Sequence, residues 1–394
     1  MERMITVERA LSLIKEQVVP LAAKKMDLGE VSGCVLAEDI KASKDIPSFP
    51  QSNMDGYAFA FKEGVIEYEL VGEVAAGSNQ KITLQKGTAV RIFTGAVVPE
   101  GADTVLMQEK AKVVAGNLFV LDEQLKQGNN VRAVGTEISK GAIAITKGTL
   151  LKPAAIGLLA SMGIDQVLVY PKPKVGILVT GNELQKIGMP LEYGQVYESN
   201  SPSLLAALNE LHIDIVQVRH AQDQLEQLTE ELKSLMDASD LVLVTGGVSV
   251  GDYDFTTKAF EHCGIETIFH KIKQKPGKPL LFGKKANKLV FGLPGNPASV
   301  LNCFYEYLFP ALGLMMGQNF SLKPLQVPIK HDFKKPAGLT HFLKAFYDGT
   351  NATVLTGQES YKLASYAAAN CLAVFPEEVE QAAAGTIINI HLLP

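Results

Sequence analysis

The apolar positions of this chain change their period twice. Near the N-terminus Val7, Ala10, Leu11, Ile14 and Val18 recur at helical spacing, which predicts an amphipathic helix over 6–18, capped by Thr6 and ended by Pro20. A short mixed stretch covers 31–42. Residues 45–61 then carry two prolines and an Asp-Gly pair, so they read as a loop leading into a strand at Tyr57, Phe59 and Phe61. From there to residue 146 short β-prone runs are split by glycine turns, the pattern of a small barrel or sandwich. Small residues at 154–162 predict a helix with Gly163 as its C′ residue. The stiff Pro-Lys-Pro run ending at Pro173 predicts a domain boundary.

Beyond that boundary strands and helices alternate. Residues 175–180 are continuously apolar, as a parallel strand buried on both faces should be. A helix at 202–211, a strand at 213–218, an amphipathic helix at 225–236, a strand at 241–245, a helix at 255–263 and a strand at 267–272 follow. A terminal hairpin at 280–294 leads into a long helix over 297–314. This is an open α/β sheet of about 150 residues. From Pro324 five short β runs predict a small C-terminal barrel of about 70 residues.

Size and charge narrow the class. A chain of 394 residues is expected to hold several domains. A net charge of −5 argues against a nucleic-acid protein held by overall charge. The N-terminus is charged and amphipathic rather than signal-like, and no apolar run would span a bilayer. Cys34, Cys263, Cys303 and Cys371 are scattered, which fits buried thiols in a reducing, cytoplasmic setting.

Ligands of open α/β sheets bind beyond the carboxyl ends of the strands. Three such ends carry glycine loops: Thr180-Gly181-Asn182-Glu183, the segment TGGVSVG at 245–251, and GLPGNP at 292–297 before a helix. Glycine lets backbone N–H groups approach an anion, and a helix N-terminus adds a favourable dipole. Thr180, Gly181, Gly246, Gly247, Ser249, Gly295 and Asn296 are the candidates for holding phosphates. Lys271, Lys275 and Lys278 cluster on a segment containing Pro276, Gly277 and Pro279. Beside two anion-type loops they point to an anionic substrate, the alternative being a solvated turn. Asp252 and Asp254 call for a divalent cation between them and the anion, Mg2+ with Glu183 completing the set; one of the two is expected to cap the helix from Phe255 instead. No Walker A loop, H-E-x-x-H or dinucleotide fingerprint is present, which sets aside P-loop, zinc-hydrolase and dehydrogenase chemistry.

Seven stretches carry a resemblance: N-M-D-G-Y-A (53–58), R-I-F-T-G-A-V-V-P-E-G-A-D (91–103), T-G-N-E-L (180–184), T-G-G-V-S-V-G-D-Y-D (245–254), K-P-G-K-P (275–279), G-L-P-G-N-P-A-S (292–299) and A-N-C-L-A-V (369–374). Collinear over nearly the whole chain, they make it resemble the molybdopterin molybdenumtransferases of the MoeA and gephyrin E-domain type. The resemblance implies a multidomain α/β plus β fold. Residues 1–45 and 140–172 would form a discontinuous N-terminal domain, 46–139 an inserted β domain, 173–322 an open α/β molybdopterin-binding domain of the MoaB/Mog-like type, and 323–394 a C-terminal β-barrel. It also implies a homodimer in which the α/β domain of one subunit faces the inserted β domain of the other. The reaction would be Mg2+-dependent cleavage of adenylylated molybdopterin, with AMP released and molybdate inserted into the dithiolene.

Matched position by position, the resemblance assigns molybdate to Lys275, Lys278, Ser299 and Ser365, with Lys271 in the same cluster. Asp254 would carry the metal-assisted cleavage, with Glu183 and Asp252 beside it. Asp55 and Thr94 would come from the other subunit. The chain departs from the family where many members have arginine after a barrel glycine and this one has Gly338-Leu339, leaving Lys344 or His341 as substitutes. Where the family often has an acidic pair after the second α/β strand, it has Asp223 alone, and the family G-E-D reads Gly135-Thr136-Glu137. Two other functions share some of these features. A molybdopterin adenylyltransferase has a similar α/β domain but carries T-G-G-T-G and needs neither β domain. A gephyrin-type scaffold would not require the intact Asp55, Glu183, Asp254 and lysine set.

Overall fold

The computed structural model describes residues 4–213, 215–247 and 255–394. The chain forms two compact units. One comprises Met1–Ala37, Leu150–Lys152 and Val167–Pro394; the other comprises Glu38–Thr149 and Pro153–Gln166.

The first unit opens with helix α1 (Val7–Gln17). The Thr6 hydroxyl accepts the Arg9 N–H at 3.2 Å, and Val7, Ala10 and Ile14 are buried, as the spacing requires. The α/β sheet contains β1 (Val175–Thr180), β2 (Ile215–Ala221), β3 (Leu241–Thr245), β4 (Glu266–His270), β6 (Leu281–Lys285) and β7 (Lys288–Leu293), in the order β2-β1-β3-β7-β6-β4. The first four strands in that order are parallel, and β6 and then β4 extend one side of the sheet by antiparallel pairing. Every residue of β1 and β3 is buried, because helices cover both faces. Helix α2 (Asn200–Glu210) buries Leu204 and Leu208 against one face, with α1 in the same core. Helices α3 (Leu225–Ala238) and α4 (Phe255–His262) pack on the other through Leu228, Leu232, Leu235 and Phe260.

The long helix expected over 297–314 is divided. It runs as α5 (Pro297–Cys303), widens to a π turn at Phe304–Leu308, and resumes over Phe309–Met315. Pro310 lies just beyond the widened turn and has no N–H for the Glu306 carbonyl, so a regular ladder would be broken there in any case.

The C-terminal runs form β8 (Lys323–Pro328), β9 (Thr340–Tyr347), β10 (Cys371–Phe375) and β11 (Ile387–Leu392). They share a sheet with β5 (Gln274–Lys275), in the order β5-β9-β10-β11-β8. The β5 strand is parallel to β9, Gln274 facing Thr340 and Lys275 facing His341. The lysine segment of the α/β region is therefore an edge strand of the C-terminal sheet, a pairing with no period in the sequence to announce it.

In the second unit a six-stranded sheet includes Gly56–Phe59, which pairs with Thr88–Ile92 on one side and Thr104–Met107 on the other. Its core is built on Ala58, Val90, Ile92 and Val105. The small-residue helix spans Pro153–Ser161, and Gly163 follows at φ +76°.

Candidate active site

Thr180, Thr245 and Leu293 end three neighbouring parallel strands. Val179 pairs with Thr245 and Thr245 with Leu293, so the three glycine loops leave the same edge of the sheet. They also touch one another. The Gly246 N–H donates to the Leu293 carbonyl at 3.3 Å. Gly246 has φ +93°, and a Cβ there would stand 2.2 Å from the Thr180 carbonyl oxygen; glycine is needed for two loops to pass this closely.

Beyond this edge lies a half-open cavity of about 830 Å³. Of the predicted residues, Thr180, Gly181, Glu183, Gly246, Gly247, Lys275, Lys278, Gly295, Asn296 and Ser299 line it. Ser249, Asp252 and Asp254 fall outside the described residues. Lys271 and Ser365 do not line the cavity. Lys271 sits at φ +71° and its N–H donates to the Leu280 carbonyl. The Ser365 hydroxyl donates to the Gly357 carbonyl at 2.6 Å, which secures the loop that brings Gln358, Ser360 and Tyr361 to the cavity wall.

Asp223 also lines the cavity, where its carboxylate accepts the Thr180 hydroxyl at 2.5 Å. It thus meets Thr180 from the neighbouring strand end. Neither Glu183 nor Asp223 is ion-paired with a described residue. As hard oxygen donors beside an anion site they suit Mg2+, although among the described residues no group of three His, Cys, Asp or Glu side chains gathers to hold an ion.

Neither proposed stand-in for the missing arginine reaches the cavity as a free cation. The Lys344 ammonium is buried and donates to three carbonyls, of Gly357 at 2.7 Å, Glu359 at 3.2 Å and Lys362 at 3.2 Å. Burial lowers its pKa, and three acceptors use its three N–H donors. Burial, then the charges of Lys335 and Lys275, push His341 down to about 4, so it is neutral near pH 7. Leu339 itself lines the cavity. The 357–362 loop also covers the start of α5: the Ala298 N–H donates to the Ser360 carbonyl at 3.0 Å and Asn296 Nδ2 to the Ser360 hydroxyl at 2.8 Å.

Sequence reasoning missed the segment 197–200. Glu198 is buried, and its carboxylate accepts the N–H of Asn200 at 2.6 Å, the N–H of Ser201 at 2.8 Å and the Ser201 hydroxyl at 2.5 Å. It caps α2 from outside, in place of the boundary residue Ser199, whose side chain makes no capping bond. Asn200, thereby placed in the cavity wall, donates to the Gly295 carbonyl at 2.8 Å. The acidic residue ahead of the helix was the available signal.

Asp55 and Thr94 belong to the second unit and lie together. One Asp55 oxygen accepts both the Thr94 N–H and its hydroxyl, each at 2.8 Å. These bonds, with the Arg91 charge, hold the Asp55 carboxyl below its ordinary pKa.

Three family models cover most of the chain: the MoeA N-terminal region, domains I and II, over 5–163; a probable molybdopterin binding domain over 176–313; and the MoeA C-terminal region, domain IV, over 326–393. The chain belongs to the MoeA family. A molybdopterin molybdenumtransferase of Haemophilus influenzae is 34% identical over 99% of this chain and all of its own length. One from Staphylococcus epidermidis is 32% identical over 98% of this chain and 95% of its own. The crystal structure of a MoeA protein from Pyrococcus horikoshii superposes with a TM-score of 0.82 at 30% identity, over 99% of each chain. The MoeA fold accounts for the mixed architecture, α/β at the centre and β at either side of it in sequence. It also gives the seven collinear stretches a common origin.

Proposed function

We propose that this MoeA-family transferase inserts molybdate into adenylylated molybdopterin, in molybdenum cofactor biosynthesis. The observation that carries the reading is the cavity itself. Three glycine loops, two lysines and two carboxylates converge on one space at the carboxyl edge of the sheet. The backbone at Gly246, Gly247 and Gly295 would hold the phosphates, with Thr180, Gly181, Ser249 and Asn296 beside them. Lys275 and Lys278 would hold molybdate, a tetrahedral dianion matched to two ammonium groups, and the Ser299 hydroxyl would add a donor.

Cleavage breaks the bond between the bridging oxygen and the adenylyl phosphorus of the pyrophosphate linkage: water supplies the oxygen that completes AMP, molybdopterin keeps its own phosphate, and molybdate exchanges an oxide for the two dithiolene sulfurs, the oxide leaving as water with the thiol protons. Glu183, with Asp254 and Asp252, would hold Mg2+, which when bound neutralises charge on the phosphate oxygens. The reading extends to a homodimer in which Asp55 and Thr94 reach the cavity from a second subunit, and to the four-part domain division given above. The proposed setting is the cytoplasm; no helix of the described residues is long and apolar enough to cross a membrane.

The test is to incubate purified protein with adenylylated molybdopterin, Mg2+ and molybdate and to follow AMP. Molybdate-dependent release that is lost in Asp254→Ala is the expected result. No release from the wild type, with Asp254→Ala indistinguishable from it, rejects the assignment.

A further inference from the structure

Lys275 and Lys278 are exposed on a short loop, and a lysine in that setting has no fixed position of its own. The loop is held from behind by a buried polar cluster. Gln274 is fully buried, at 0% exposure. Its amide Nε2 donates to the Gly277 carbonyl at 2.9 Å and lies 3.7 Å from the Cys303 sulfur, while its Oε1 accepts the Tyr307 hydroxyl. Tyr307 is equally buried, and burial raises its phenol pKa well above the usual value, so it stays a neutral donor. Asn302 Nδ2 reaches the Pro276 carbonyl at 3.4 Å, and the Ile272 N–H donates to the Lys278 carbonyl at 2.9 Å. Three successive carbonyls of the loop are thus taken up on its inner side, and both lysines are left in the cavity wall.

The packing leaves no slack. Gly277 has φ +88°, and a Cβ there would lie 2.6 Å from the Cys303 sulfur and 2.9 Å from Gln274 Nε2. Tyr307 comes from the π turn, the one stretch of that helix where residues leave the regular register. An apolar pair could fill the same volume, but it would not fix direction. A buried amide bridging a phenol and a carbonyl does.

We propose that Gln274 and Tyr307 are positioning residues: they set the spacing of the Lys275 and Lys278 ammonium groups and so determine which tetrahedral oxyanion the cavity accepts. This rests on the oxyanion reading above.

Calorimetry on the full-length protein, with molybdate and then sulfate as probes, tests it. Tyr307→Phe deletes one oxygen and keeps the ring; Gln274→Glu keeps an acceptor for Tyr307 and loses the donor to Gly277. Each should weaken molybdate binding about fivefold or more and reduce its preference over sulfate, and in Lys275→Ala the further loss from Tyr307→Phe should be less than about twofold. In turnover, half-saturating molybdate should rise while AMP release at saturating molybdate is retained. Wild-type affinity and preference in both variants, or losses that multiply with Lys275→Ala, overturn the inference and leave the oxyanion reading standing. A wild type that takes up no molybdate overturns both.

Discussion

Lys275 and Lys278 face the cavity, whereas the buried Lys344 ammonium is committed to three carbonyls, so charge near a site is not the same as charge available to a ligand. Removing Lys275 should cost a charge-assisted contact of about 1.5–3 kcal/mol, raising half-saturating molybdate roughly 10- to 150-fold in the AMP-release assay. Leu339 gives the opposite prediction. It lines the cavity at the position where the family resemblance implies an arginine, so Leu339→Arg adds a guanidinium donor beside the lysines and should lower half-saturating molybdate about tenfold. His341 yields a stability prediction. Folding holds it down to about 4, while an unfolded histidine titrates near 6.5. Between those values the unfolded state binds the proton and the folded state does not, so stability falls as pH is lowered through that window. The loss at its lower end is of order 3 kcal/mol, and His341→Gln should flatten it. Melting temperatures from pH 7 to pH 4.5 for both proteins provide the check, and a wild-type slope retained in the variant would contradict the assignment.

The elements most legible in the sequence were those with a period. Helix α1, the buried strand at Val175–Thr180 and helix α3 fall within two residues of where their apolar positions put them. What escaped had no period. The β5 strand is two residues long and pairs with a partner 66 positions away. The π turn depends on local hydrogen bonding that hydrophobic pattern does not encode. The Glu198 cap defeated a rule that looks for serine, threonine, aspartate or asparagine at the boundary itself. That cap is also testable. Glu198→Ala would leave the N–H groups of Asn200 and Ser201 and the Ser201 hydroxyl without their shared acceptor, a cost of about 2–4 kcal/mol in urea unfolding. Asn200 belongs to the cavity wall, so ligand affinity should weaken together with stability. Loss of stability with unchanged AMP release at every substrate concentration would detach Asn200 from the site.

For the molecule as a whole, the candidate residues divide between the two compact units: Asp55 and Thr94 in one, the cavity in the other. Composition and charge could show that several domains exist, but not how they assemble, because association is written in surface shape rather than in period. The homodimer proposed above is what the family resemblance implies about assembly. If the second unit of one copy completes the cavity of another, inactive variants should rescue each other. A homodimer of Asp55→Ala has a defect in every site, and so has one of Asp254→Ala, the variant expected to lose release. A mixed dimer has one site with both defects and one with neither. Random mixing of equal amounts after subunit exchange makes half of the dimers mixed, so about a quarter of all sites should be intact. AMP release should recover to about that fraction of wild type, well above the average of the two variants alone. If Asp55 instead served the cavity of its own chain, every site in every mixture would carry a defect and nothing would be recovered.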